Sequence, residues 1–251
     1  MNEGSLTVYA LSEDSAGDAH AVIASLVRAS LRLLHPGARL DRARFEPDAP
    51  GHAAVKANRW KSHARADQRH RVDLLRTLAT NLSRSDCLVV FHFDGDTPWA
   101  ERERSENVRK FHDELVLGVR RVLRDCGLEP ERAERALRRL VAFVPHYTLE
   151  SWLYQNTAVA IALCQQRRTT DEVAVFEAWA RDRPQLDEVE QPWKLVSLGK
   201  GHNAALAASF PANEVYAVGK SFAASVERLR EHGFVIEWLR WSAEDGARHA
   251  T

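Results

Sequence analysis

The stretch VVFHFDGDTPW, Val89 to Trp99, decides how this chain is read. From Leu88 to Phe93, five of six side chains are apolar or aromatic, and the run stops at Asp94-Gly95-Asp96 and a proline. A continuous apolar run of this length suits a strand buried on both faces of a parallel sheet, whereas a half-exposed strand alternates. Its tip poses a question. Two carboxylates two residues apart repel unless water, a cation or a cationic side chain offsets their charge. Either the tip is an acidic turn, since Asp and Gly are ordinary turn residues, or its carboxylates hold a divalent metal.

The flanking sequence supplies the rest of a sheet. LTVYAL (Leu6–Leu11) reads as a first strand, and the three-and-four apolar spacing of AHAVIASLVRASLRLL (Ala19–Leu34) as the helix after it. ARFEP (Ala43–Pro47) gives a second strand stopped by Pro47, and Pro50-Gly51 marks a loop. Leu74, Leu75, Leu78 and Leu82 share one helical face ahead of the strand at 87–93. Val108, Phe111, Leu115, Val119 and Val122 continue in helical spacing towards Gly127. LVAFVP places a fourth strand at 141–145, and TLESWLYQNTAVAIALC (Thr148–Cys164) reads as one helix capped by Thr148. This alternation predicts an α/β fold, a Rossmann-like parallel sheet of about four strands with helices on both faces. The expected core is 1–166. A mostly helical C-terminal extension packed on it spans 167–241, with helices at 171–181, 204–210 and 221–231, and a flexible tail follows at 242–251.

Composition narrows the classes of function. Lys+Arg and Asp+Glu are equal at 35 each among 251 residues, so no global charge points to nucleic acid or a membrane. Met1-Asn2-Glu3-Gly4 opens without a signal-peptide pattern, and no apolar run is long enough to span a bilayer, so a cytoplasmic protein is expected. Cys87, Cys126 and Cys164 are too few and scattered for a disulfide framework or a zinc site. Charge is uneven locally. Residues 53–84 carry Lys56, Arg59, Lys61, Arg65, Arg69, Arg71, Arg76 and Arg84 against only Asp67 and Asp73. The stretch is either a solvated helix face or a phosphate-contacting patch led by Arg65, Arg69 and Arg71.

Open parallel sheets bind ligands outside the carboxyl ends of their strands. The first predicted strand presents Ser12-Glu13-Asp14 there, and the third Asp94-Gly95-Asp96. The fourth leads through Pro145-His146-Tyr147 to Glu150. Three segments far apart in sequence thus aim carboxylates at one rim. Oxygen ligands without thiolates or a histidine cluster suit Mg²⁺ or Mn²⁺, and such sites serve phosphoryl chemistry. Taken singly, Glu13 and Glu150 also fit the preference for acids at helix N-termini.

In this arrangement, Glu after the first strand and Asp-x-Asp after a later one, the chain resembles the Toprim domain of topoisomerases, primases and OLD-type nucleases. TLESWLYQN (Thr148–Asn156) is similar to the Glu-x-Trp helix start of the small Toprim-like proteins of the RloB kind. GKSFAASVERL (Gly219–Leu229) resembles their Ser-Phe-containing C-terminal helix, and Lys200 a lysine that precedes it. The resemblance covers most of the chain in order, through short motifs. It implies a Toprim-like core, Mg²⁺ (or Mn²⁺), cleavage of DNA or RNA, and an ABC/AAA-type ATPase partner in bacterial anti-phage defence. Carried over residue by residue, Glu13 would handle the proton of the attacking or leaving oxygen and also lie against the metal. Asp94 and Asp96 would hold the ion, Glu150 would complete its shell or bind a second, and Lys200 would face phosphate. The chain departs from the family's Glu-Gly, having Glu13-Asp14 with glycine only at Gly17. Both acids therefore remain candidates for that position.

Other motifs are set aside. Asp94-Gly95-Asp96-Thr97 resembles the nucleophile loop of haloacid-dehalogenase-type phosphatases, but it follows the third strand rather than the first. Glycosyltransferases also use Asp-x-Asp, to hold a nucleotide-sugar metal. LGKGHN (Leu198–Asn203) lacks the upstream Gly and following Ser/Thr of a P-loop, and no Gly-x-Gly-x-x-Gly fingerprint occurs. His92, His112, His146 and His202 lack metal-ligand spacing. Three readings stand: a Mg²⁺-dependent nuclease subunit, a non-catalytic nucleic-acid-binding or regulatory subunit of such a complex, and a metal-dependent phosphatase.

Overall fold

The computed structural model describes residues 5–14 and 16–248. Strands β1 (Leu6–Ser12), β2 (Ala43–Glu46), β3 (Cys87–His92) and β4 (Leu140–Phe143) form one sheet in the order β2-β1-β3-β4. Every neighbouring pair is parallel. Side chains alternate along each strand, and the register puts Val8 beside Leu88 and Ala10 beside Val90. These four, with Val141 and Phe143, pack on Ile23, Leu26 and Val27 of α1 (Ala19–Leu34). Tyr9, Leu11, Val89 and Phe91 face the other way, into a second core. There they meet Leu74, Leu78 and Leu82 of α3 (Gln68–Ser83), which follows α2 (Ala49–Val55). That core also takes Phe111, Leu115 and Val119 from one continuous helix: α4 (Glu106–Lys110), a π-helical segment Phe111–Val116, and α5 (Leu117–Asp125). Gly127, at φ +84°, ends this helix in the left-handed conformation glycine tolerates. Then α6 (Pro130–Leu137) leads to β4.

The chain turns back through α7 (Glu150–Leu153) and α8 (Thr157–Arg167) into the helical C-terminal region. That region holds α9 (Thr170–Arg181), α10 (Asn203–Ala208), α11 (Ala212–Ala217), α12 (Ser221–Arg230) and α13 (Gly233–Arg248). Leu206, Phe222, Val226, Leu229, Val235 and Leu239 join the same apolar cluster as β1 and α1. The extension therefore completes one of the two layers covering the sheet. Among the described residues no helix is long and apolar enough to cross a membrane. Cys87, Cys126 and Cys164 are free.

Local differences from the sequence reading have physical causes. Pro50-Gly51 is not a loop but the first turn of α2, where a proline loses no needed hydrogen bond and the Asp48 carboxylate accepts from Gly51 N at 2.8 Å. Thr148–Cys164 is not one helix. It breaks at Tyr154–Asn156, where the Asn156 amide donates to Leu206 O at 2.8 Å and Ser209 O at 3.0 Å. Thr148 does not cap α7: Leu149 occupies the cap position, and the buried Thr148 hydroxyl has no partner among the described residues. The last helix continues past residue 241 to Arg248, and residues 249–251 of the expected tail lie outside the described residues.

Candidate active site

The chain goes from β1 out to β2, then crosses back over β1 to β3. The strand order therefore reverses between β1 and β3, and crevices open at such switch points beyond the carboxyl ends. Glu13 directly follows β1, and its backbone N–H extends the ladder to His92 O at 3.0 Å. Its carboxylate is held by three donors: Asp94 N at 2.8 Å and Trp60 Nε1 at 2.7 Å, with Lys61 Nζ at 3.1 Å. Glu13 thus ties the tips of β1 and β3 together across the switch point. Its neighbour Asp14 pairs with Lys200 Nζ at 2.9 Å. Burial opposes the Lys200 charge, but the hydrogen bond to Asp14 and the charges of Asp14, Glu150 and Asp94 outweigh it and raise its pKa.

The Asp94-Gly95-Asp96 tip is built by backbone contact with the tip of β4. Phe93 N donates to Phe143 O at 3.3 Å, Gly95 N to Pro145 O at 2.9 Å, and Tyr147 N to Thr97 O at 3.1 Å. A side chain at Gly95 would meet His146 Nδ1 at 3.1 Å and Pro145 O at 3.3 Å, so glycine lets the two loops close. This turn separates the two aspartates. Asp96 has φ +53°, is exposed, and accepts from the Asn107 amide, whose second contact is Asp94 O at 2.8 Å. Asp94 turns into a cavity of about 300 Å³ lined also by Thr148, Glu150, Trp193, Val196 and Lys200.

Asp94 is ringed by protein yet open to that cavity, its side chain 29 % exposed. Oδ1 accepts from Leu149 N at 3.1 Å and lies 3.5 Å from His92 Nε2, while His92 Nδ1 is 2.9 Å from Ser12 Oγ. Burial pushes the Asp94 carboxyl up to about 6; contact with His92 works the other way, and the charges of Glu13 and Glu150 add to the rise. Glu150, buried at the start of α7, accepts from Asn203 Nδ2 at 3.1 Å through Oε1.

The structure therefore brings together Glu13, Asp94, Glu150 and Lys200, and places Asp96 on a separate contact. Among the described residues no group of three or more His, Cys, Asp or Glu side chains is arranged to hold a metal ion. Mg²⁺ needs less than such a cage, since it keeps waters and is held by one or two carboxylates plus substrate phosphate. Asp94 and Glu150, each with one oxygen engaged and both facing the cavity, fit that smaller donor set.

Of the basic segment, Arg65 lies in an exposed turn and the Arg69 side chain is 90 % exposed. Arg71 is committed to Glu114 and to His63 Nδ1 at 3.1 Å. Sequence reasoning missed the contacts of Trp60, Lys61, Asn107 and Asn203. Trp60 and Lys61 lie inside the basic stretch, but nothing in their spacing names Glu13 as the partner. Asn203 closes the LGKGHN motif set aside as a failed P-loop. The Ser-Phe and Glu-x-Trp motifs meet away from the cavity: Trp152 Nε1 donates to Ser221 Oγ at 2.6 Å, and Ser221 Oγ to Asp187 at 2.8 Å. No protein-family model, curated protein or solved structure matches the chain.

Proposed function

We propose that the chain is a Mg²⁺-dependent hydrolase of nucleic-acid phosphodiester bonds, of the Toprim type its motifs resemble. One observation carries the reading: at the switch point, carboxylates from three strand ends converge where Asp94 and Glu150 share a cavity with Lys200. Asp94 and Glu150 would hold the ion, which when bound neutralises charge developing on the phosphate oxygens. Lys200, its side chain 63 % exposed, exchanges Asp14 for a substrate phosphate. Glu13 is the brace of the site. With its oxygens taken by Asp94 N, Trp60 and Lys61, it fixes where Asp94 stands. Asn107 does the same from the other side by gripping Asp94 O and Asp96 together.

The test is incubation of the purified protein with plasmid, single-stranded DNA and RNA in Mg²⁺ or Mn²⁺. Metal-dependent cleavage lost in Asp94→Asn and Glu150→Gln is the expected result. The ATPase partner belongs to the same proposal and is checked by co-purification and by repeating the assay with it present. One feature favours the non-catalytic alternative: Lys61 and Lys200 already neutralise Glu13 and Asp14 within the chain. Binding without cleavage under every condition, partner included, would establish that alternative.

A further inference from the structure

Trp193 stands apart from the other six tryptophans of the chain. Trp60, Trp152, Trp179 and Trp238 are buried. Trp99 carries Arg102 over its ring at 4.5 Å, and Trp241 carries Arg42 at 5.7 Å. Trp193 is 40 % exposed and, among the described residues, has neither an aromatic nor a cationic partner. It sits on the turn Pro192–Lys194, and the neighbouring Leu195 is 55 % exposed. An indole left 40 % exposed on the lining of a charged cavity forgoes part of the burial that stabilises the other rings.

The cavity indicates what covers it. Trp193 and Val196 add apolar surface to a lining that also holds Asp94, Glu150 and Lys200. Thr148 also lines it and is only 8 % exposed. A flat apolar face and a lysine beside two carboxylates match a planar heterocycle joined to a phosphate. Lys194, next in sequence, adds a second cation to the same turn. Aromatic faces interleaved with cations are how proteins hold unpaired bases, because every base offers a ring face only when it is out of a duplex stack.

We propose that Trp193 is a stacking platform for one unpaired nucleobase next to the Asp94–Glu150 carboxylates. The site then takes single-stranded nucleic acid, or a nucleotide turned out of a duplex, and excludes an intact base pair. This rests on the nucleic-acid reading of the cavity and adds the form of its substrate.

The test uses fluorescence anisotropy with phosphorothioate oligonucleotides in Mg²⁺: a single strand, the same strand with abasic sites throughout, and its duplex. The wild-type protein should bind the single strand about tenfold or more tighter than the abasic strand or the duplex, the scale of stacking one base on an aromatic ring. Trp193→Ala should remove that preference while leaving abasic-strand binding and melting temperature unchanged, and Trp193→Phe should keep most of it. Equal preference in Trp193→Ala, or none in the wild type, overturns the stacking role while the phosphodiesterase reading stands. Absence of binding to all three strands overturns both, and, with unmodified oligonucleotides, cleavage of intact duplex faster than single strand overturns the substrate form alone.

Discussion

Asp94 and Asp187 are two aspartates that burial pushes up to about 6, and their surroundings differ at nearly every oxygen. Asp187, 1 % exposed, accepts from Ser221 Oγ at 2.8 Å and Ser221 N at 3.2 Å. Lys220 stands beside it, itself fixed by Glu188 at 2.7 Å and Pro184 O at 2.8 Å. That carboxylate is closed off by donors and locks α12 to the turn below. Asp94 has one backbone donor, a long 3.5 Å contact with His92 Nε2, two acidic neighbours and an open cavity. A raised pKa alone therefore does not mark function, because structural pairs perturb pKa as well. The partners separate the two cases: Asp187 is surrounded by its donors, and Asp94, the acid of the proposed site, is kept short of them.

The widest separation between the two sites is expected in cleavage. Asp94→Asn should lower metal-dependent cleavage by about 100-fold or more and leave the melting temperature equal or raised, since it removes repulsion with Glu13 and Glu150. Asp187→Asn should keep cleavage within about twofold. An amide there still accepts from Ser221 N and can donate to Ser221 Oγ. If Asp187→Asn loses cleavage as Asp94→Asn does, with stability intact, the division between the sites fails.

Stability should divide them in the opposite sense. Trp152 is fully buried between the rings of Phe143 and Phe222, at 5.7 and 5.3 Å, and supplies the third member of the Ser221–Asp187 chain. Trp152→Ala leaves a cavity and should cost about 3–5 kcal/mol in denaturant unfolding. Glu150→Gln, two residues away, should cost under about 1 kcal/mol, because the amide oxygen can still accept from Asn203.

The sheet and the rim were legible in the sequence, and the division of labour among the acids was not. The run from Leu88 to Phe93 has to be buried on both faces, and that one strand calls for helices above and below it. Carboxyl ends of parallel strands lie on one side, so Glu13, Asp94 and Glu150 could be placed together before any coordinates. Asp96 could not be told from Asp94. Their separation depends on φ +53° at Asp96 and on the pairing of Gly95 N with Pro145 O, a contact between loops 50 residues apart in sequence. The Glu13 brace is equally non-local, as Trp60 comes from a turn with no helical or strand periodicity. Glu-x-Trp and Gly-Lys-Ser-Phe were visible as motifs, but only packing shows that Trp152 and Ser221 meet over Asp187.

A third contrast is in pH. An unfolded aspartate titrates near about 3.9, and Asp187 in the fold near about 6. The stability this group contributes is therefore complete below about pH 4 and is lost as pH rises through about 6, by at most roughly 3 kcal/mol. His146, which burial pushes down to about 4, has the opposite sign: its contribution is present above about 6.5 and lost as pH falls towards 4. The informative quantity is thus the difference between wild type and Asp187→Asn in urea melts from pH 4 to 7. The variant should gain on the wild type as pH rises. A constant difference would mean that Asp187 does not titrate in that window.

Divalent cation should touch only one side of the comparison. Mg²⁺ at a hundred times its dissociation constant stabilises by about 2.7 kcal/mol. Asp187→Asn should keep that gain, and Asp94→Asn should lose it. A melting temperature indifferent to millimolar Mg²⁺ and Mn²⁺ would return the Asp94 tip to an acidic turn.

The smallest effect asks how far the functional side extends. Lys61 and Trp60 join the basic segment directly to Glu13, and we extend the proposed nucleic-acid surface to Arg65 and Arg69 of the same segment. Arg69 is the cleaner probe, because Arg71 is paired with Glu114 and reversing its charge would set two acids against each other. Among the described residues Arg69 has only a long 3.9 Å ion-pair contact, with Asp73, so Arg69→Glu should change stability by less than about 0.5 kcal/mol. If Arg69 contacts a phosphate, the slope of log affinity against log salt should become shallower by about one, equally for all sequences. An unchanged slope would confine the nucleic-acid surface to the cavity rim, and the positive charge of α3 would then be an ordinary solvated helix face.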